Sequence, residues 1–165
     1  MKKILLLSDT HGYFEEKLVK YIESVDEVWH AGDIGDLQVC ARIEKLKPLR
    51  AVYGNIDGAE ARKLYPANAV FFCEDVKVLI THIGGYPGRY SPEARKLIQA
   101  ERPKIFVCGH SHILKVMYDQ QNELLHLNPG AAGMHGFHQV KTVLRFCIDG
   151  ADMKDLEVIE LGKRA

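Results

Sequence analysis

The first third of the chain alternates short apolar runs with amphipathic segments, and this alternation restricts the fold more than any other sequence feature. Apolar runs at residues 3–8, 28–31 and 49–53 have the length and continuity of strands that are buried on both faces. Between them, residues 14–24 and 37–46 carry apolar side chains at helical spacing. The order strand, helix, strand, helix, strand predicts a parallel sheet with right-handed crossovers.

The remainder of the chain is richer in predicted strands. Residues 70–73 and 76–81 predict a hairpin, and Ser91-Pro92 predicts the start of a helix that continues to about residue 100. Five further strands are predicted at residues 105–108, 115–118, 124–127, 142–148 and 156–161. Turn residues between several of these strands favour antiparallel pairing. We therefore expect one α/β domain over residues 1–165, with two sheets packed face to face and helices on the outside.

The composition disfavours several classes of function. The chain carries 22 basic and 22 acidic residues, so it offers no broad cationic field for strong binding of nucleic acid or of an anionic membrane. Its four cysteines form no Cys-x-x-Cys pair, so we expect buried thiols and no zinc-finger or redox motif. The apolar run after Lys2-Lys3 is too short for a secretion signal, and no later run could cross a bilayer. We therefore expect a cytoplasmic protein.

Five short polar segments each follow an apolar strand directly. They contain Asp9 and His11, Asp33, Asn55, His82, and His110 and His112. Ligands of open α/β sheets bind beyond the carboxyl ends of the strands, so all five segments could converge on one edge. The Asp-x-His and His-x-His pairs are spaced by two residues, which in extended backbone would place both side chains of a pair on the same side.

The side-chain types in these segments indicate a metal site. Imidazole with carboxylate or amide oxygen, and no thiolate, suits divalent ions such as Mn²⁺, Fe²⁺, Co²⁺, Ni²⁺ or Zn²⁺. Seven ligand groups are too many for one tetrahedral zinc ion but reasonable for two ions that share a carboxylate. Asp33, central in the order, is the natural bridge. Glycine precedes Asp33, Asn55 and His110, which allows the close approach that a crowded site needs.

If the substrate carries a phosphate, such a pair of ions suggests a mechanism. Two cations about 3.5–4 Å apart can bind phosphate oxygens and a shared water. Because a metal lowers the pKa of that water from about 15.7 toward about 7, hydroxide is available at neutral pH. The hypothesis is that a bridging hydroxide attacks phosphorus while both ions stabilise the added negative charge.

The five segments, in this order, resemble those of the calcineurin-like metallophosphoesterase family, and in particular the small bacterial and archaeal phosphodiesterases. The resemblance extends from Asp9 to the turn at residues 128–130 and the strands after it. It implies a four-layer α/β/β/α sandwich and hydrolysis of a small phosphoester, with Mn²⁺ favoured. It implies Asp9, His11 and His112 for one ion, Asn55, His82 and His110 for the other, and Asp33 between them. It also makes Asp33, Asn55 and His82 the predicted catalytic residues.

One position departs from the family pattern. Many phosphomonoesterases of the family carry a histidine directly after the asparagine, where this chain has Ile56, which cannot donate a proton. This favours phosphodiesters with a good leaving group, or an acid supplied from elsewhere. His135 and His138, in the glycine-spaced stretch 131–139, are candidates for that acid. His138 is also a predicted substrate contact, as is Arg89, whose guanidinium could clamp a phosphate oxygen or simply be solvated.

Some polar residues allow two interpretations. Asp57 is either a turn former or a carboxylate that orients a ligating histidine. His30 and His126 are expected to be polar side chains with ordinary hydrogen-bond partners.

The alternative function is a non-catalytic protein-binding scaffold, since relatives of this fold include the retromer scaffold subunit. Association into a homo-oligomer is compatible with either function. A nucleotide-binding domain is disfavoured because no G-x-G-x-x-G segment or P-loop lysine follows any strand.

Overall fold

Two mixed five-stranded sheets form the centre of the fold in the computed structural model, which describes residues 1–164. In chain order the elements are β1 (Lys2–Leu7), α1 (Leu18–Glu23), β2 (Glu27–His30), α2 (Gln38–Glu44), β3 (Leu49–Ala51), α3 (Ala59–Leu64), β4 (Asn68–Cys73), β5 (Val76–Thr81), β6 (Gly85–Tyr86), β7 (Arg89–Tyr90), α4 (Pro92–Glu101), β8 (Ile105–Val107), β9 (Lys115–Asp119), β10 (Leu124–Asn128), β11 (Val140–Asp149) and β12 (Asp152–Lys163). Residue 165, the last of the predicted domain, lies outside the described residues, and the single-domain assignment stays a prediction.

The first sheet has the order β12-β11-β1-β2-β3, and the second has the order β4-β5-β8-β10-β9. Strands β1, β2 and β3 pair in parallel, as the alternating first third predicts. The predicted hairpins are also confirmed, because β4 with β5, β9 with β10, and β11 with β12 pair antiparallel. The sequence did not predict α3 or the small β6–β7 hairpin. Both are short, and in α3 only Ala61 is buried, so apolar periodicity gives no signal there.

The two sheets pack face to face around an apolar core. Trp29 is fully buried in it, and its ring packs edge to face against Phe71 and Phe146 at centroid distances of 5.2 and 5.6 Å. Ile22 of α1 covers the outer face of the first sheet, and Ile98 of α4 covers the outer face of the second. The four-layer α/β/β/α arrangement that the resemblance implies is therefore confirmed.

The strand register brings the loops of both sheets to one edge. Leu7, the last residue of β1, pairs with His30, the last residue of β2, so both strands end at the same level. The loop after β8 reaches this edge from the second sheet, since the backbone N–H of His110 donates to Oδ2 of Asp9 at 3.1 Å. The predicted convergence of the polar segments therefore follows from parallel strands that end side by side within each sheet and from the packing of the two sheets.

The two isolated histidines differ in their hydrogen bonding. His30 has ordinary partners, as expected, because its Nδ1 accepts from the N–H of Gly32 and its Nε2 donates to the hydroxyl of Thr10. The same expectation is wrong for His126, which is fully buried with neither ring nitrogen hydrogen-bonded among residues 1–164. Burial lowers the pKa of His126 to about 4.

We expect His126→Leu to make stability less dependent on pH. The unfolded chain protonates this histidine near pH 6.5 and the folded protein only near pH 4, so the wild type loses stability as pH falls through that window. The loss is about 2 kcal/mol by pH 4.5. Urea unfolding at pH 7 and pH 4.5 measures it, with His135→Leu as an exposed-histidine control. Equal pH dependence in His126→Leu and the wild type would contradict the assignment.

Candidate metal centre

Six of the seven predicted ligands form two groups, and within each group the ligand atoms lie within 4.8 Å of one another. The groups are Asp9, His11 and His112, and Asp33, His82 and His110. The seventh residue, Asn55, adjoins the second group, because its Oδ1 lies 3.0 Å from Nδ1 of His110. This division is the one that the family resemblance implies for two separate ions.

Asp33 belongs to the second group, and its carboxylate also faces the first. Its Oδ2 is 3.4 Å from Nε2 of His11 in the first group and 3.2 Å from Nε2 of His82 in its own group. Its Oδ1 accepts a hydrogen bond from the backbone N–H of Ile56 at 3.0 Å, which fixes the orientation of the carboxylate. One carboxylate oxygen therefore approaches an imidazole of each group.

The backbone at the site is left-handed where the sequence interpretation assumed extended chain. The φ angles are 54° at Asp9, 45° at His11, 55° at Asp33, 71° at His110 and 63° at His112. The extended-backbone explanation of the two-residue spacing is therefore wrong, and His110 and His112 belong to different groups. Residues at positive φ cost about 1–3 kcal/mol each and persist where surrounding contacts hold them. One such contact is the backbone hydrogen bond from His11 to the carbonyl of Asp33, at 3.0 Å.

At two positions the backbone passes so close to these carboxylates that only glycine fits. A Cβ at Gly54 would overlap Oδ1 of Asp33. A Cβ at Gly109 would overlap the Ser8 hydroxyl and lie 2.6 Å from Oδ2 of Asp9. The predicted role of the glycines that precede Asn55 and His110 is confirmed, since any larger residue would displace a predicted ligand.

Charges within the site reinforce one another. Burial alone would raise the pKa of Asp9, but the neighbouring imidazoles of His11 and His112 outweigh it and hold that pKa well below its usual value. The same competition between burial and the nearby imidazole of His82 lowers the pKa of Asp33. In turn Asp9 raises the pKa of His11, while Asp33 and Asp9 raise that of His82 against the opposing effect of burial. Two ionised carboxylates therefore attract positive charge here, which is the requirement of a cation site.

Three buried atoms of the site have no hydrogen-bond partner among residues 1–164, namely Oδ1 of Asp9, Nε2 of His11 and Nε2 of His82. Both nitrogens lie 3.8 Å from that carboxylate oxygen, so the three atoms face a common space. Buried polar atoms in folded proteins are nearly always satisfied. Divalent cations would satisfy all three, and the mixture of imidazole and carboxylate donors suits such ions. The residues present therefore fit the metal site that the sequence predicts.

Asp57 joins the loop after β2 to the loop after β3. Its carboxylate is buried and accepts three backbone hydrogen bonds, from the N–H groups of Ile34 (3.1 Å), Gly35 (2.9 Å) and Gly54 (2.8 Å). Its own N–H donates to the carbonyl of Gly54, so it is also the turn former that the sequence allows. The carboxylate bonds to these three backbone N–H groups and not, as in the other predicted interpretation, to a ligating histidine. It positions the two loops that carry Asp33 and Asn55.

Two further contacts orient the predicted ligands, and sequence reasoning missed both. Nδ1 of His82 donates to the carbonyl of Ala31 at 2.7 Å, which leaves Nε2 free to face the carboxylates. Nδ2 of Asn128 donates to the carbonyl of Gly109 and to the hydroxyl of Ser111, at 3.1 Å each. Asn128 therefore holds the loop of the two neighbouring histidines in addition to forming a turn.

The glycine-spaced stretch places its histidines against the first group of predicted ligands. The His135 ring stacks on His11 with centroids 5.0 Å apart, and the His138 ring meets His112 edge to face at 5.2 Å. Nε2 of His138 donates to a backbone carbonyl at 2.7 Å. Arg89 is exposed on the β6–β7 hairpin. Substrate contact by Arg89 and His138 and proton donation by either histidine stay predictions.

A sequence profile decides the family. The profile of the calcineurin-like phosphoesterase superfamily domain matches residues 1–151. The chain belongs to this superfamily. A probable metallophosphoesterase of Methanothermobacter thermautotrophicus is 26% identical in sequence. The alignment covers 95% of this chain and 91% of the relative.

Solved structures show the same fold in other proteins. An archaeal phosphodiesterase superposes with a TM-score of 0.74 and 22% identity, covering 95% of this chain and 99% of its own. Wild-type Vps29 of Entamoeba histolytica complexed with zinc superposes with a TM-score of 0.73 and 16% identity, covering 97% and 99%. At these identities the likeness concerns the fold. Within residues 1–164 of this phosphoesterase domain, no helix is long and apolar enough to cross a membrane.

Proposed function

We propose that this phosphoesterase domain hydrolyses phosphodiesters with two divalent metal ions, of which Mn²⁺ is favoured. The observation that carries the proposal is the set of three buried, unpartnered ligand atoms on Asp9, His11 and His82, which lie around a shared carboxylate, Asp33. Membership of the superfamily supports the coarser statement that the substrate is a phosphoester.

The seven predicted ligands would hold the ions in the two groups already described. Asp9, His11 and His112 would hold one ion, Asn55, His82 and His110 the other, and Asp33 both. When bound, such a pair lowers the pKa of water toward neutrality and neutralises the negative charge that develops on the phosphate. Asp33, Asn55 and His82 are the residues of the proposed catalytic centre, because Asp33 and His82 lie where the two groups approach each other and Asn55 adjoins His110 of the second group.

The chain's own residues also favour diesters over monoesters. Asn55 is exposed at the mouth of the site, and the next side chain, Ile56, is 45% exposed and cannot protonate a leaving group. Because Nε2 of His138 is bonded to a backbone carbonyl, His135 is the better placed of the two histidines to supply a proton. A diester with an acidic alcohol needs no such proton, so it suits the site best.

Hydrolysis by metal-stripped protein tests the proposal. Bis(p-nitrophenyl) phosphate and p-nitrophenyl phosphate would be supplied with and without Mn²⁺, and circular dichroism would verify that the stripped protein stays folded. We expect hydrolysis only with metal, at a rate at least about 100-fold above the stripped protein, and faster for the diester. A folded protein that hydrolyses neither ester with any of the five candidate ions would contradict the proposal and favour the protein-binding scaffold.

Cytoplasmic location and homo-oligomer formation stay predictions.

A further inference from the structure

A cleft of about 500 Å³ opens beside the candidate metal centre. His110 and His112, one from each group of predicted ligands, form its inner side. Met134, His135 and Phe137 line it from the stretch between β10 and β11. Its volume lies within the range of roughly 300–1,000 Å³ that is usual for small-molecule sites. A phosphate held at the metal centre would therefore have its ester group at the entrance of this cleft.

The wall formed by this stretch is anchored to the body of the protein. Nε of Arg164 donates to the carbonyl of His138 at 2.8 Å, and Nη1 donates to the carbonyl of Met134 at 3.2 Å. Lys141, in strand β11 just after the stretch, forms a buried ion pair with Glu15 at 2.6 Å. The stretch is therefore anchored at Met134 and at His138, on either side of Phe137, and the cleft is a preformed feature of the fold.

The chemistry of the cleft suits an apolar group better than a second anion. The Phe137 side chain is completely exposed, and Met134 is 38% exposed. Among the described residues that line the cleft, Arg164 is the only one with a permanent positive charge, and two backbone carbonyls already occupy its guanidinium. An aromatic ring left in water next to a ligand site is a stacking surface for a flat partner, since stacked bases and rings gain about 1–3 kcal/mol.

We propose that this cleft binds the flat aromatic group, an aryl ring or a nucleobase, of an ester whose phosphate lies at the metal centre, with Phe137 as the stacking residue. The proposal rests on the proposed function, because the phosphate anchor is the candidate metal centre. It makes Phe137 a specificity-determining residue that distinguishes aromatic from aliphatic esters.

Calorimetric binding of two phosphonates to Mn²⁺-loaded protein tests the proposal. Phenylphosphonate and methylphosphonate carry the same charged group, cannot be hydrolysed, and differ only in the group that would enter the cleft. We expect the wild type to bind phenylphosphonate about 10-fold more tightly. Phe137→Ala should reduce this preference to about 2-fold or less without changing the affinity for methylphosphonate, and Phe137→Tyr should keep it. Phe72→Ala is the matched control, because Phe72 is an exposed aromatic residue (63%) on β4, an edge strand of the second sheet, and does not line the cleft.

Equal affinity of the wild type for the two phosphonates would overturn the assignment of the cleft. An unchanged preference in Phe137→Ala would overturn the role of that residue. The hydrolysis assay separates these failures from failure of the proposed function. Hydrolysis of diesters without any phosphonate preference would contradict only the assignment of the cleft. A Phe137-dependent preference without hydrolysis would contradict only the proposed activity.

Discussion

Asp33→Asn is expected to lower the kcat/KM for an activated phosphodiester by about 10³-fold or more while leaving the fold intact. Asparagine keeps the size of the side chain and an oxygen that can accept the hydrogen bond from Ile56. It removes the negative charge that lies 3.4 Å from His11 Nε2 and 3.2 Å from His82 Nε2, which is the charge that two cations would share. Activity falls because the substitution removes the shared ligand, and stability is retained because the hydrogen bond remains.

The measurement is kcat/KM at saturating Mn²⁺, accompanied by urea unfolding of each variant. Asp36→Asn provides the matched control from the same loop. Asp36 is exposed, and its Oδ1 accepts a hydrogen bond from the N–H of Gln38, away from both groups of predicted ligands. Near-native turnover in Asp33→Asn would exclude Asp33 from the catalytic centre.

Asp57→Ala is expected to produce the largest loss of stability among single substitutions near the site, about 3–5 kcal/mol in metal-free protein. The variant leaves the N–H groups of Ile34, Gly35 and Gly54 without their acceptor, and Asp57 is only 3% exposed. Because these groups lie in the loops that carry Asp33 and Asn55, we also expect about a 10–100-fold loss of Mn²⁺ affinity.

Urea unfolding and a Mn²⁺ titration measure the two effects separately. Asp57→Asn keeps one acceptor oxygen, so it should fall between the wild type and Asp57→Ala in both measurements. A free energy of unfolding within 1 kcal/mol of wild type for Asp57→Ala would show that the carboxylate does not hold the loops together. Asp57→Ala should lose stability, whereas Asp33→Asn should lose activity with little loss of stability.

Local sequence patterns predict much of the fold because they depend on near neighbours. The apolar runs that become β1 and β2 are buried on both faces apart from Lys2 and Lys3. The same expectation is wrong for β3, where only Ala51 is buried, because Arg50 interrupts the apolar run with an exposed side chain. The parallel pairing of the three strands follows from the helices between them. Prediction of short elements fails because it depends on the same local patterns, which are weak in a short segment. The six residues of α3 carry one buried side chain, Ala61, so their pattern is that of a polar loop.

The membership of the candidate site could be predicted, but its backbone geometry could not. Polar residues at the ends of neighbouring parallel strands converge, which is why Asp9 and Asp33 lie close together. His82 follows β5 of the second sheet, and the packing of the two sheets brings it to the same edge. The left-handed backbone at Asp9 and Asp33 depends on hydrogen bonds between loops that are distant in sequence. The role of Asp57 escapes prediction likewise, since its partner at Ile34 is 23 residues away.

Exposure is the other property that the sequence does not reveal. Phe106 is fully buried and Phe137 is fully exposed, although both are phenylalanines, so the residue type alone does not predict exposure. The sequence also gives no sign that His126 is left without a hydrogen-bond partner. Both outcomes are set by which elements pack above the residue, and these are decided by the whole fold.

The same fold occurs in an archaeal phosphodiesterase and in Vps29, so the fold alone does not decide the activity. What argues for catalysis in this chain is its own site, where one oxygen of Asp33 faces an imidazole from each of the two groups of predicted ligands.

Counting bound ions tests the two-ion proposal most directly. Metal-stripped protein would be dialysed to equilibrium against increasing Mn²⁺, and the bound metal measured by mass spectrometry per folded chain. We expect saturation at two ions in the wild type, with both affinities reduced in Asp33→Asn because the bridging charge is lost. Saturation at one ion, or unaltered binding in Asp33→Asn, would contradict a dinuclear centre bridged by this carboxylate.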